Sequence, residues 1–139
     1  ATSGNYNDLS NRPSGGFEVD SGIDAIGTGQ DYKYMYHDLG RTPKVVEITM
    51  SFNGGRSCSS KWVATDSSSG NMIALYVDYS GEVNTYLKSN TRTVCRDHSG
   101  SSSYQDFDIY VYSNKIKIKR GSERSYTRPN ITEIGWVVY

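Results

Sequence analysis

Apolar and polar residues alternate with a period of two along much of this chain, which is the repeat of a β-strand and not of a helix. The clearest stretch is 44–52, in which Val46, Ile48, Met50 and Phe52 fall on one face. No window of a dozen residues carries a convincing helical stripe. Together with the turn residues between these stretches, the pattern predicts an all-β, antiparallel β-sandwich of about eight strands.

One β-hairpin is predicted in the middle of the chain. Its first strand is 72–79, where Ile73, Leu75 and Val77 share a face, and Ser80-Gly81 turns the chain into 82–88. Ser-Gly is a suitable pair for a tight turn between two strands.

A second hairpin is predicted from 105–112 and 115–119. Phe107, Ile109 and Val111 would point inward, and Ser113-Asn114 would form the turn. The lysines of the returning strand, KIKIK, would lie on the solvent face, where they would protect a sheet edge from unwanted pairing.

The chain of 139 residues is the size of one domain with its own core. Residues 1–16 are rich in Gly, Ser and Asn and lack apolar periodicity, so we expect an extended linker there and a β-sandwich domain over 17–139. No segment approaches the ~20 apolar residues of a membrane-spanning helix, and membrane insertion is therefore not expected.

Charge narrows the range of partners. Fifteen basic and fifteen acidic side chains give a formal net charge of zero, so no overall field draws the chain to nucleic acid and we expect no nucleic-acid partner. The charges are unevenly placed, with acids prevailing in 1–38 and bases in 115–128. Such a distribution fits a solvated surface or a contact between the two segments.

Side chains that could support catalysis are scarce. His98 neighbours Asp97, but no G-x-S-x-G sequence supplies a nucleophile elbow. The histidines and cysteines show no zinc-ligand spacing, whereas calcium leaves no fixed signature outside EF-hands. We therefore expect a protein that is not an enzyme and that holds no metal or cofactor.

Cys58 and Cys95 lie in polar, Ser-rich surroundings that predict loops. Two loops at one end of a sandwich could bring them together, but two cysteines do not define a disulfide framework. The sequence leaves open whether they pair.

A recognition surface is the remaining functional class. The chain has 12 tyrosines, and the loops predicted at 53–60, 66–71 and 96–104 combine Ser, Gly, Asn and Arg, a composition typical of adaptable polar recognition. A sugar site needs an aromatic platform and converging donors and acceptors. The candidate ligand-binding residues are Arg56, Trp62, Arg96, Asp97, His98 and Tyr104. Trp62 also fits the core or a subunit interface.

Three stretches resemble a known family. SGNYNDLSNRP (3–13) is similar to a phrase found in linkers of bacteriophage tail-fibre proteins, and YMYHDLGRTPKVV (34–46) looks like the phrase that opens a β-sandwich module at the ends of phage tail proteins. IGWVVY (134–139) resembles the last strand of that module.

The resemblance implies a receptor-binding tip domain of a tail fibre. Such a domain would be a homotrimer on the virion, and its loops would contact a surface polysaccharide or an outer-membrane protein of the host. The sandwich is also similar to H-type lectins, so the alternatives are a free-standing carbohydrate-binding lectin and a capsule or lipopolysaccharide depolymerase domain.

Overall fold

The period-two pattern is realised as a sandwich of two antiparallel sheets. The computed structural model describes residues 17–128 and 131–139, and the predicted linker at 1–16 lies outside them. The strands are β1 Asp20–Ile26, β2 Tyr32–Tyr36, β3 Val45–Phe52, β4 Ser57–Ala64, β5 Gly70–Val77, β6 Val83–Thr91, β7 Thr93–Gly100, β8 Ser103–Val111, β9 Lys115–Arg124 and β10 Ile131–Val138. The predicted all-β sandwich is therefore confirmed, with ten strands in the described residues where about eight were expected.

The two sheets differ in width. The larger has six strands in the order β1-β10-β3-β4-β5-β6, and the smaller has four in the order β2-β9-β8-β7. Every neighbouring pair runs antiparallel. Strand β7 packs on β4 and β5, so β6 lies beyond the edge of the smaller sheet.

The core lies between the sheets, where the alternation predicts it. Val46, Ile48, Met50 and Phe52 of β3 are all buried. Phe52 stacks on Phe107 of the facing sheet with ring centroids 5.7 Å apart. Burying one large apolar side chain contributes roughly 1.5–3 kcal/mol, so this row of contacts is a main source of adhesion between the layers.

Ile73 and Leu75, the apolar side chains predicted to share a face of β5, point away from the core. Met72 and Ala74 are buried, whereas Ile73 and Leu75 are 51% and 52% exposed. The pairing of Ile73 with Leu87 places the β6 side chains on the same outer surface. We call this surface the apolar face; its exposed members are Ile23, Val63, Ile73, Leu75, Val83 and Leu87.

Two expectations about strands are wrong. The polar stretch 96–104 is not a long loop, because β7 reaches Gly100, β8 begins at Ser103 and only a tight turn separates them. Strand β9 is not an edge, because β2 pairs along it and β8 lies on its other side. The backbone of β7 is paired on one side, with β8, and that of β9 is paired on both sides.

The two cysteines lie in strands of opposite sheets and not in loops. Cys58 of β4 and Cys95 of β7 are fully buried and are free thiols in the structure. The Sγ atom of Cys95 lies 3.6 Å from Oγ of Ser60. Burial and the neighbouring Cys58 thiol raise the pKa of Cys95, so the pair acts as small core side chains.

Among the described residues, no helix is long and apolar enough to cross a membrane.

Gly70 is required for the packing of Trp62. A Cβ atom at residue 70 would lie 2.4 Å from Cε2 of Trp62 and 2.6 Å from the carbonyl oxygen of Val63. We expect Gly70→Ala to lower the free energy of unfolding by about 1–3 kcal/mol, the usual range for overpacking. Urea denaturation followed by tryptophan fluorescence measures the change.

Gly29→Ala is the matched control, because a Cβ there meets no atom within 4 Å and the residue is not among the glycines with positive φ. It should change stability by less than about 0.5 kcal/mol. Equal midpoints for the Gly70 and Gly29 variants would contradict this account of the Trp62 contact.

Candidate binding site

The six residues singled out from the sequence separate into three environments. Arg96, His98 and Tyr104 lie together on the outer side of the β7–β8 hairpin, where His98 is opposite Tyr104 in the ladder. Asp97 points to the other side and is buried, 1% exposed, next to Arg56. Trp62 is a core residue. The structure thus brings three of the six together on one surface.

Arg96 is held by a carboxylate and by two aromatic rings. Its Nε and Nη2 atoms donate to Asp106 at 2.7 and 3.1 Å. Its guanidinium carbon lies 4.4 Å from the ring centroid of Tyr86 and 4.2 Å from that of Tyr104. Such bidentate and stacked contacts pre-organise the arginine. Asp106 is buried beneath it.

Tyr86 closes the cluster from the larger sheet. Its hydroxyl lies 3.3 Å from Oδ2 of Asp106 and accepts a hydrogen bond of the same length from Arg96. Burial, followed by the charge of Asp106, raises the pKa of Tyr86 to about 12, so the phenol stays protonated near neutral pH.

His98 lies between two further tyrosines. The centroid of its ring is 6.1 Å from that of Tyr76 and 5.7 Å from that of Tyr79. The backbone amide of Tyr79 donates to the carbonyl oxygen of His98 at 3.0 Å, which ties the β5–β6 turn to β7. Tyr79 is 52% exposed and gives this surface an accessible ring.

We call this surface the arginine–tyrosine cluster. It consists of Tyr76, Tyr79, Tyr86, Arg96, His98, Tyr104 and Asp106. Rings with polar ends around an ordered cation are suited to holding a polar ligand.

Arg56 and Asp97 form a structural ion pair beneath the cluster. Nε of Arg56 lies 2.6 Å from Oδ1 of Asp97, and Nη2 lies 3.2 Å from Oδ2. The hydroxyl of Tyr126 also donates to Asp97. Asp97 therefore joins β7 to the segment before β4 and to the segment after β9, with its acceptor capacity used inside the protein.

Trp62 donates its indole Nε1–H to the carbonyl oxygen of Thr91 at 2.9 Å and is 1% exposed. It cannot offer a ring to a ligand in this arrangement. The structure therefore favours the interpretation of Trp62 as a core residue over that of a ligand-binding residue.

The outer surface of the smaller sheet carries a second set of rings, which the sequence analysis did not select. Lys115, Lys117 and Lys119 of β9 pair across β2 with Tyr36, Tyr34 and Tyr32, respectively. Across β8, Lys117 pairs with Tyr110 and Lys119 with Asp108. We call this surface the tyrosine–lysine face; its members are Tyr32, Tyr34, Tyr36, Arg92, Tyr110, Tyr112, Lys115, Lys117 and Lys119.

The signal for this face is present in the sequence. Tyrosines at every second position of YKYMY and lysines at every second position of KIKIK predict two single-sided rows. The pattern could not predict that β2 pairs with β9, because the two strands are about eighty residues apart in the sequence.

The described residues contain no group of three or more His, Cys, Asp or Glu side chains placed to hold a metal ion. Comparison with protein-family models, with curated proteins and with solved structures found no match for this chain. The functional argument therefore depends on the residues themselves.

The Arg56–Asp97 pair should contribute to stability because Asp97 is shielded from water. The Asp97 side chain is 0% exposed and that of Arg56 is 15% exposed. Since Arg56→Ala leaves a buried carboxylate without its cation, we expect a loss of about 3 kcal/mol in the free energy of unfolding, measured by urea denaturation.

Arg128→Ala is the matched comparison. Arg128 makes ion pairs of the same 2.6 Å length with Asp31 and Glu123, but its side chain is 37% exposed and those of its partners are 62% and 34% exposed. Its loss should cost less than about 1 kcal/mol. Similar losses in the two variants would show that burial does not set the strength of the Arg56 pair.

Asp78 fixes the turn that carries Tyr79. Its Oδ1 accepts hydrogen bonds from the Ser80 hydroxyl at 2.7 Å and the Ser80 amide at 2.9 Å, and its Oδ2 accepts one from Asn84 at 2.9 Å. These hydrogen bonds, with the Ser80 hydroxyl first, lower the pKa of Asp78 to about 2. Because this value is below the ordinary one, the ionised carboxylate stabilises the fold above about pH 4, and the contribution is lost as the pH falls through about 2.

The prediction is that Asp78→Asn lowers the urea midpoint at neutral pH but makes it less sensitive to acid between about pH 4 and pH 2. Parallel loss of stability in the wild-type protein and in the variant over that range would refute the assigned role of Asp78.

Proposed function

We propose that this chain is the non-catalytic receptor-binding tip of a bacteriophage tail fibre, which assembles as a homotrimer and attaches the virion to a host-surface glycan or outer-membrane protein. The fibre assignment is supported by the resemblance of residues 3–13, 34–46 and 134–139 to tail-fibre proteins. The observation that carries the binding function is the arginine–tyrosine cluster, which presents rings and polar groups on a rigid hairpin.

The cluster supports binding because its charges are fixed before any ligand arrives. Arg96 is held on both sides by rings and below by Asp106. A ligand that contacts Tyr79 or Tyr104 therefore meets a pre-organised surface, which reduces the entropy lost on binding.

The carboxylates of the region support the non-catalytic assignment. Asp97 and Asp106 each accept two hydrogen bonds from an arginine. Both carboxylates are therefore already engaged by arginine side chains, and they are only 1% and 3% exposed, respectively. Neither group is well placed to act as the general base of a hydrolase.

The apolar face supports self-association. Antiparallel sheets often keep their solvent-facing side polar, yet the exposed members of this face are 41–72% accessible. Exposed apolar patches of this kind mark interaction surfaces. Glu47 lies opposite Lys61 on the same face, so their charges offset each other, which suits burial against further copies of the chain.

The binding function is tested with the fluorescently labelled full chain and a panel of Gram-negative strains. We expect saturable binding to at least one strain, and about tenfold weaker binding when Tyr79 and Tyr104 are both changed to Ala, since ring contacts commonly dominate recognition. Phe17→Ala is the control, because Phe17 is 53% exposed and lies outside the cluster.

Treatment of the cells separates the two receptor classes. Periodate should abolish binding to a glycan, and surface proteolysis should abolish binding to an outer-membrane protein. Absence of binding to every strain, equal loss in the Phe17 control, or release of fragments from capsule or lipopolysaccharide would contradict the proposal.

A further inference from the structure

The tyrosine–lysine face lies on the outer side of the smaller sheet. Its lysines occupy alternate positions of β9 and so lie roughly 7 Å apart along the strand. Lys115 pairs with Tyr36, and Lys117 lies between Tyr34 and Tyr110. The result is a row of cations with tyrosine rings along both sides.

The lysines are ordered by rings and not by carboxylates. The Nζ atom of Lys115 lies 4.5 Å from the ring centroid of Tyr34, and that of Lys117 lies 4.6 Å from the centroid of Tyr32. In the ranges 17–128 and 131–139, no carboxylate forms an ion pair with Lys115 or Lys117. Cation–π contacts hold the chains in place without neutralising their charge.

The positive charge extends beyond β9. Arg92 stacks on Tyr110, with its guanidinium carbon 4.2 Å from the ring centroid. The carboxylates on this side of β8 are those of Asp106, which is held by Arg96, and of Asp108, which lies at the Lys119 end. The Lys115 and Lys117 end therefore has an excess of cations.

The rings at that end are accessible. Tyr36 is 65% exposed and Tyr112 is 39% exposed. A phenol offers both an apolar ring surface and a hydroxyl. That combination suits a sugar ring, which has apolar C–H surfaces and a rim of hydroxyl groups.

We propose that the tyrosine–lysine face binds an acidic polysaccharide, with carboxylate or other anionic groups on Lys115 and Lys117 and sugar rings against the flanking tyrosines. An acidic polysaccharide matches this face better than nucleic acid does. The whole chain has a formal net charge of zero, whereas nucleic-acid-binding domains are usually strongly basic. The inference depends on the face alone and not on the fibre assignment.

The experiment is a calorimetric titration of the full chain with polygalacturonate, methyl-esterified polygalacturonate and a single-stranded oligothymidylate. We expect binding to polygalacturonate that weakens with added salt, and little or no binding to the esterified polymer, which has the same sugar without the charge. Lys115→Gln/Lys117→Gln should bind about tenfold more weakly or not at all, because glutamine retains a polar chain but no cation.

Arg41→Gln/Lys44→Gln is the matched control. Both residues are exposed before β3, and the variant loses the same two positive charges away from the face, so it should bind like the wild-type protein. Tyr36→Ala/Tyr112→Ala should also weaken binding, which tests the rings without altering charge.

Three results would overturn the inference: no binding of polygalacturonate by the wild-type protein, equal loss in the Arg41/Lys44 control, or tighter binding of oligothymidylate, which would indicate a nucleic-acid surface. The cell-binding assay keeps this failure separate from failure of the proposed function. Cells bound normally by a protein that ignores polygalacturonate would refute this inference alone. Polygalacturonate bound through Lys115 and Lys117 by a protein that binds no cells would refute the receptor role alone.

Discussion

The larger sheet buries apolar side chains on one side and exposes others on its outer side, among polar residues such as Glu47 and Lys61. Its inner side builds the core with residues such as Ile48 and Met50, while its outer side exposes Ile73, Leu75 and Leu87. Exposing apolar area to water costs about 25 cal/mol per Å². An oligomer that covers the outer side removes that cost, and it leaves the smaller sheet and its hairpin free to meet a ligand.

Polar contacts hold the recognition residues of the smaller sheet in fixed positions. The Asp97 and Asp106 carboxylates lie on opposite sides of the smaller sheet, and each fixes one arginine. Asp97 ties β7 to neighbouring segments, whereas Asp106 positions Arg96 between two rings. Rigid strands with short turns therefore carry the proposed recognition groups, in place of the flexible loops that the composition suggests.

Sequence alone predicts the fold class and several faces, but not the pairing. Val46, Ile48, Met50, Phe52, Phe107 and Ile109 are buried as their alternation predicts. Ile73 and Leu75 share a face as their alternation predicts, but the pattern does not tell that this face points away from the core. It misses β7 because Arg96, Asp97 and His98 have polar ends, although their backbone is paired in the sheet. Arg96, His98 and Tyr104 could be selected from composition, whereas their partners Tyr79, Tyr86 and Asp106 depend on long-range contacts.

Sedimentation equilibrium of the full chain at micromolar concentration tests the role of the apolar face most directly. The account predicts a species of three times the chain mass of 15.5 kDa, which dissociates when Leu87→Glu places a charge on that face. Leu87 is 65% exposed, so this substitution should leave the fold of the single chain intact. A wild-type protein that sediments as a monomer, with its apolar face in water, would contradict the account.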